Sequence, residues 1–249
     1  QQAYQIFVGT DSLAVLHGEG KMWNSQKKVS AGMLFSYHGS PLKPFTKYYW
    51  TVQVWDKDGQ KSFMAKVASF ETGMMQMSNW KWISDSQDIK LKSAPYFREV
   101  FTPKGKIKSA RAYIAVAGLY ELFLNGQRVG DHRLDPMYTR FDRRTLYVTY
   151  DVTSMLTSAD KVTIGVLLGN GWYNHQSTAV WDFDKAPWRA RPKFCMDMRL
   201  TYENGTVETI KSGDDWKTSL SPITLNSIYT AEHQDARLAQ KGWNNTPFD

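Results

Sequence analysis

Residues 109–130 read SARAYIAVAGLYELFLNGQRVG, and the pairing of this stretch decides the fold. Asn125-Gly126 is the dipeptide that accepts positive φ at both central positions of a tight turn, so LYELFLNGQRVG reads as a β-hairpin. The preceding SARAYIAVAG supplies a further strand. Working outward, YFREVF, TLYVTYDV, KVTIGVLL, KFCMDMRLTY and TVETIKS have the same β character, with Asn204-Gly205 marking a second hairpin. Many short strands spaced about ten residues apart predict a sandwich or jelly roll. No segment sustains a 3.6-residue apolar repeat, and no internal repeat or low-complexity tract interrupts the pattern.

A second β region precedes this one. Tyr48, Trp50, Val52 and Val54 alternate with Thr51 and Gln53 and run into DKDGQ, an Asp-Gly turn. Asp56 and Asp58 lack the further ligands and the terminal glutamate of a calcium loop, so turn chemistry accounts for them. PLKPFTKYYWTVQVWDKDGQKS followed by ASFETG resembles the last three strands of a fibronectin type III domain. Tyr48 would then be the corner tyrosine, tied by its hydroxyl to upstream backbone. AYQIFVG is read as the second strand of that sandwich, with the first strand missing and a sheet edge left open. Residues 74–95 carry no clean period and connect the two regions or begin the second. The expected organisation is all-β: a fibronectin type III-like sandwich over 1–73, then a jelly-roll-like sandwich over 74–249.

Composition limits the function classes. At 249 residues the chain exceeds the usual single-domain size, so two domains are expected. Its apolar runs fall far short of the ~18–20 residues of a membrane span. A single cysteine, Cys195, excludes an internal disulfide framework and a cysteine zinc cluster, and five scattered histidines offer no ligand spacing. No metal or cofactor is expected. The net charge of +7 comes from dispersed basic residues such as Lys104, Lys106, Lys108, Arg140, Arg143 and Arg144. With no reading motif among them, nucleic acid is not an expected partner, and neither is a membrane. Gln1 is not followed by a basic-then-apolar leader, which suggests a processed or truncated product and leaves the compartment open, periplasmic or secreted location included. Ten tryptophans suit sugar stacking, but they suit a sandwich core equally well.

From Trp80 onward the motifs VAGLYELFLNGQRVGDHRLDP, TLYVTYDVT, LLGNGWYN and LNSIYTAEHQDARLAQKGWNNTPFD follow one another in an order that resembles the amino-terminal β-sandwich of bacterial α-L-rhamnosidases. The resemblance implies a glycoside hydrolase acting on terminal L-rhamnose, with the inverting carboxylates in an (α/α)6 barrel that follows these β domains. It implies no catalytic residue in this chain. The expected role is a non-catalytic N-terminal fragment that supports the barrel or contributes to substrate recognition, its partners being that C-terminal barrel and a rhamnose-containing glycan. Where such a barrel packs, an apolar patch is expected on the sandwich. A free-standing carbohydrate-binding protein and an adhesion or structural module are the competing readings. Where the family usually has a Gly-Gly-Glu stretch and Tyr-Asp-Ala-Arg, this chain has Thr230-Ala231-Glu232 and Gln234-Asp235-Ala236-Arg237.

Three groups of residues are candidates for sugar binding or a domain interface. In LLGNGWYNH, residues 167–175, the glycines lack phosphate-loop spacing but let the chain leave a strand and deliver Trp172 and Tyr173 to a sandwich edge. The loop STAVWDFDKAPWRARPK offers Trp181 and Trp188 for stacking, Asp182 and Asp184 as acceptors, and Arg189 with Arg191 as donors; the tryptophans serve equally as a plug for the sandwich end. Near the carboxyl end, Glu232, Asp235 and Arg237 suit either sugar hydroxyls or a salt bridge.

Overall fold

The computed structural model describes residues 1–75, 80–156, 160–176 and 181–248. Part of the expected connection (76–79) and the STAV start of the candidate loop (177–180) lie outside the described residues. The chain divides into two compact units, Gln1–Ser78 and Asn79–Asp249.

In the first unit, β1 (Ala3–Gly9) leads into a short helix, α1 (Ser12–Leu16), whose amide at Ala14 is capped by Asp11 Oδ1 at 2.8 Å. Then follow β2 (Trp23–Asn24), β3 (Lys28–Val29), β4 (Lys47–Trp55) and β5 (Ala68–Glu71). They form one sheet in the order β2-β1-β4-β5, with β3 also on β1. Antiparallel register places Ile6 beside Val52 and Val8 beside Trp50 on one face. Ile6, Val8 and Tyr48 are buried there beneath Trp23, Phe35, Tyr37 and Leu42. The Tyr48 hydroxyl accepts from the Lys43 amide at 2.7 Å, the upstream backbone tie expected of a corner tyrosine. DKDGQ is a turn, with Gly59 at φ +76° and Asp56 Oδ1 accepting from the Asp58 and Gln60 amides.

The place of AYQIFVG is corrected by its pairing. β1 lies against β4 over seven residues, in the sheet that also carries the closing strand β5. In an immunoglobulin-type sandwich the second strand belongs to the facing sheet, and the strand in this position is the third. Among the described residues of this unit there is that one sheet.

The second unit is a two-sheet sandwich. Its strands are β6 (Ile83–Ser84), β7 (Pro95–Phe101), β8 (Ile107–Ala117), β9 (Leu119–Leu124), β10 (Gln127–Arg128), β11 (Tyr147–Asp151), β12 (Val162–Gly169), β13 (Lys193–Tyr202), β14 (Val207–Lys211), β15 (Lys217–Leu220), β16 (Ile223–Ser227) and β17 (Ala231–Gln234), with α2 (Thr153–Leu156) after β11. One sheet runs β10-β9-β12-β7-β15 and the other β11-β8-β13-β14, with β6 on β13; β16 and β17 form a separate hairpin. Alternation sends Val162, Ile164, Val166 and Leu168 inward from β12 to meet Ile114, Val116, Met196 and Met198 from the other sheet. Phe97 and Phe194 join the sheets edge to face at 5.2 Å. The β9–β10 turn has Asn125 at φ +48° and Gly126 at φ +80°, as its dipeptide predicts.

After β17 the chain crosses the outer face of the first of these sheets. Trp243 stacks on Tyr96 with centroids 3.9 Å apart, over Gly165, where an added Cβ would fall 2.9 Å from the indole. Gln240 donates to Ser219 Oγ, the Gly126 amide to Asn244 O at 2.8 Å, and Arg98 to Asn245 O at 2.9 Å. The segment therefore touches β15, β7, β12 and the β9–β10 turn.

Candidate functional site

The candidate residues gather at the end of the sandwich where β12 finishes. Gly171, at φ +50°, brings the chain so close to the β8–β9 corner that a Cβ would lie 2.9 Å from Leu119 Cγ. The amides that follow are used internally. The Asn170 amide donates to Asn226 Oδ1 at 2.6 Å, and Asn174 Nδ2 donates to Asn170 Oδ1 and Ile89 O. Arg189 Nε closes the network on Asn174 Oδ1 at 3.0 Å, while its Nη1 donates to Asp184 O at 2.9 Å. LLGNGWYNH is thus a node tying three loops and the β16–β17 hairpin to the sheet.

Aromatic rings pack around that node. Trp172 meets Phe183, Tyr138 and Tyr229, and the buried His175 packs against both Trp172 and Tyr229. Tyr173 is buried against Phe141, and Trp188 stands near Phe141 and Phe183. The indole nitrogen of Trp188 and Asp184 Oδ1 are both shielded from solvent, with no hydrogen-bond partner among the described residues. The structure so brings together Trp172, Tyr173, Asp184, Trp188 and Arg189. Trp181 is 71% exposed, and Asp182, at φ +52°, holds Lys185 at 3.0 Å. Arg191, read from sequence with Arg189 as a donor for ligand, is committed elsewhere. It is buried and bidentate to Asp85, through Nε at 2.8 Å and Nη2 at 2.5 Å, and also donates to the Leu91 and Ser93 carbonyls.

The carboxyl-terminal trio separates. Asp235 caps the 3-10 turn Ala236–Leu238 and takes both Nε (2.9 Å) and Nη2 (2.6 Å) of Arg237. Those bonds, with the Arg237 amide, hold the Asp235 carboxyl below its ordinary pKa. Glu232 sits on β17 and lines a cleft of about 600 Å3 between the hairpin and the ends of β9 and β12. Its walls are mainly apolar, including Leu119, Leu134, Leu167 and Ile228, with Glu121 and Arg133 at 3.7 Å from one another. The Tyr120 hydroxyl beneath is bonded to Tyr150 at 2.9 Å, and burial, reinforced by that bond, raises its pKa.

Burial raises the pKa of Glu99 and Asp197, but these lie on β7 and β13 in opposite sheets and neither lines the cleft. Among the described residues no three His, Cys, Asp or Glu side chains are grouped to hold a metal ion, and no helix is long and apolar enough to cross a membrane.

Known proteins share this architecture. Residues 105–249 match the family described as the α-L-rhamnosidase N-terminal domain, and residues 1–76 match the Rha78A-like N-terminal immunoglobulin domain. This chain belongs to the α-L-rhamnosidase family. It is 34% identical to an α-L-rhamnosidase of Formosa agariphila and 30% identical to one of an Alteromonas species, each aligned over the whole chain. A solved α-L-rhamnosidase from Dictyoglumus thermophilum, 36% identical, superimposes over the whole chain with a TM-score of 0.85. The chain spans 29%, 28% and 29% of these three α-L-rhamnosidases, respectively, and corresponds to their N-terminal region. Sequence reasoning missed two features of this rhamnosidase region. Asp85 gave no signal because its partner lies more than a hundred positions away. The cleft gave none because Leu134 stands exposed through a left-handed backbone angle, φ +59°, which no local pattern announces.

Proposed function

We propose that this chain is the non-catalytic N-terminal part of an α-L-rhamnosidase that releases terminal L-rhamnose from glycans, and that it supports the catalytic barrel the family resemblance places after it. The observation that carries this reading is the match of the entire chain to the N-terminal region of α-L-rhamnosidases more than three times its length. The aromatic node and its amide network are built for rigidity, which suits a scaffold that fixes a neighbouring site.

Rhamnose release from p-nitrophenyl α-L-rhamnoside tests it, comparing this 249-residue chain with the longer parent chain. Turnover in the longer chain alone is the expected result. Turnover in the short chain would sink the proposal and direct the search for catalytic carboxylates to Glu232 and Asp235.

A further inference from the structure

We propose that the cleft between the β16–β17 hairpin and the ends of β9 and β12 is the seat of the downstream region of the same parent chain, and that this occupant presents an apolar side chain beside a basic one. The proposal rests on the functional reading above and names the surface through which the support is given. The cleft is large enough, at about 600 Å3, to take several side chains, and its walls are aliphatic rather than aromatic. Tyr120, the aromatic residue lining it, is itself buried with its hydroxyl already bonded to Tyr150, so no ring face is offered to a pyranose.

Leu134 carries the second observation. A leucine at φ +59° is a steric outlier for a bulky residue, and this one is held 68% exposed at the mouth of the cleft. Strained backbone that presents an apolar side chain to solvent is the kind of cost that accumulates at contact sites. Neighbouring positions follow suit: Met137 is 74% exposed, and Tyr138 and Tyr229, which both pack on Trp172, are 45% and 50% exposed. Methionine and tyrosine around an aliphatic centre are the make-up of an interface core.

Charge supplies the third. The whole chain is basic at +7, yet the cleft carries Glu121 and Glu232 against Arg133 alone. Glu232 has no ion pair among the described residues, and the Arg133–Glu121 contact is long at 3.7 Å. An unpaired carboxylate at an apolar cleft matches a Lys or Arg of the occupant. That occupant belongs to the same polypeptide because the relatives continue for more than twice this length beyond the matched region.

Arg133, with its side chain 59% exposed, gives a direct test, because trypsin can cut beside it at the mouth of the cleft. Cleavage after Arg133 is timed in the longer parent chain and in the 249-residue chain. Seating predicts at least about tenfold slower cleavage in the longer chain, since the cut then requires prior opening. Leu134→Ser or Glu232→Lys in the longer chain should return the rate toward that of the short one. As a folding control, Leu134→Ser in the short chain must keep Cys195 resistant to alkylation. Equal cleavage rates in the two unsubstituted chains would overturn the proposal, as would protection that survives both substitutions. Rhamnose release is recorded in the same samples, so an active longer chain with an unprotected Arg133 refutes the seat while leaving the enzyme assignment standing.

Discussion

The two units are built from the same kind of strand and hold themselves together differently. Among the described residues, two facing sheets of the second unit bury a cluster of 22 apolar side chains, while the one sheet of the first buries three, beneath loop residues such as Phe35 and Tyr37. A sheet has two faces, and only a second layer removes one of them fully from water. The strength of the contrast therefore lies in layers, since β1 and β4 pair in as orderly a way as β8 and β13. Stability should follow the layers.

The strongest way to break this comparison is to hollow the larger core. Phe194→Ala removes the ring that meets both Phe97 and Trp216 and should cost about 3–5 kcal/mol. The unfolding of the second unit is read by alkylation of Cys195, whose thiol is buried on β13, on the face opposite Phe194 and Met196, with a pKa raised by that burial and by nearby Asp197. Alkylation should begin at lower urea in the variant while the urea transition of the first unit stays in place. A common shift of both would show that the units share one stability.

A smaller change probes the first unit. Tyr48→Phe keeps the ring and deletes the acceptor for the Lys43 amide, at a cost of about 1 kcal/mol. Hydrogen exchange at the Lys43 amide should quicken while Cys195 protection is unaltered; an unchanged exchange rate would mean the corner bond contributes nothing.

The least effect is expected at the surface. Asp235 has its pKa lowered by Arg237, so its contribution is present above the ordinary carboxylate value of about 3.9 and vanishes as pH falls through the lower folded value. Asp235→Asn should therefore be slightly less stable than the parent at neutral pH, with the gap closing below about pH 4. A gap of equal size at acid pH would assign the loss to the turn cap rather than to the charge. Because the pair is exposed, salt should also narrow it.

Much of the fold was legible because it rests on local chemistry. Asn125-Gly126 announced its hairpin, Tyr48 its corner, and the strand runs their own extents, each through preferences that operate within a few residues. The place of β1 was not legible, since an apolar alternating strand reads alike in either sheet and only pairing with β4 distinguishes them. The aromatic candidates were found for their type, and the structure shows how far their neighbours decide their use. Arg189 and Arg191 are two positions apart, yet one completes an amide network and the other is held by Asp85. The cleft needed five separate chain segments to meet, so no single window of sequence contained it.

The closing segment has a mechanical consequence. Residues 240–248 lie across the strands, with Gln240 bonded to Ser219, Asn244 to Gly126, Asn245 to Arg98 and Thr246 to Thr163. Tension on the carboxyl end is then distributed over several strands at once, loading these bonds together instead of unzipping one edge. Trp243, seated over Gly165, acts as the rivet of that harness, and the sandwich behaves as an anchor block against which a pull is borne.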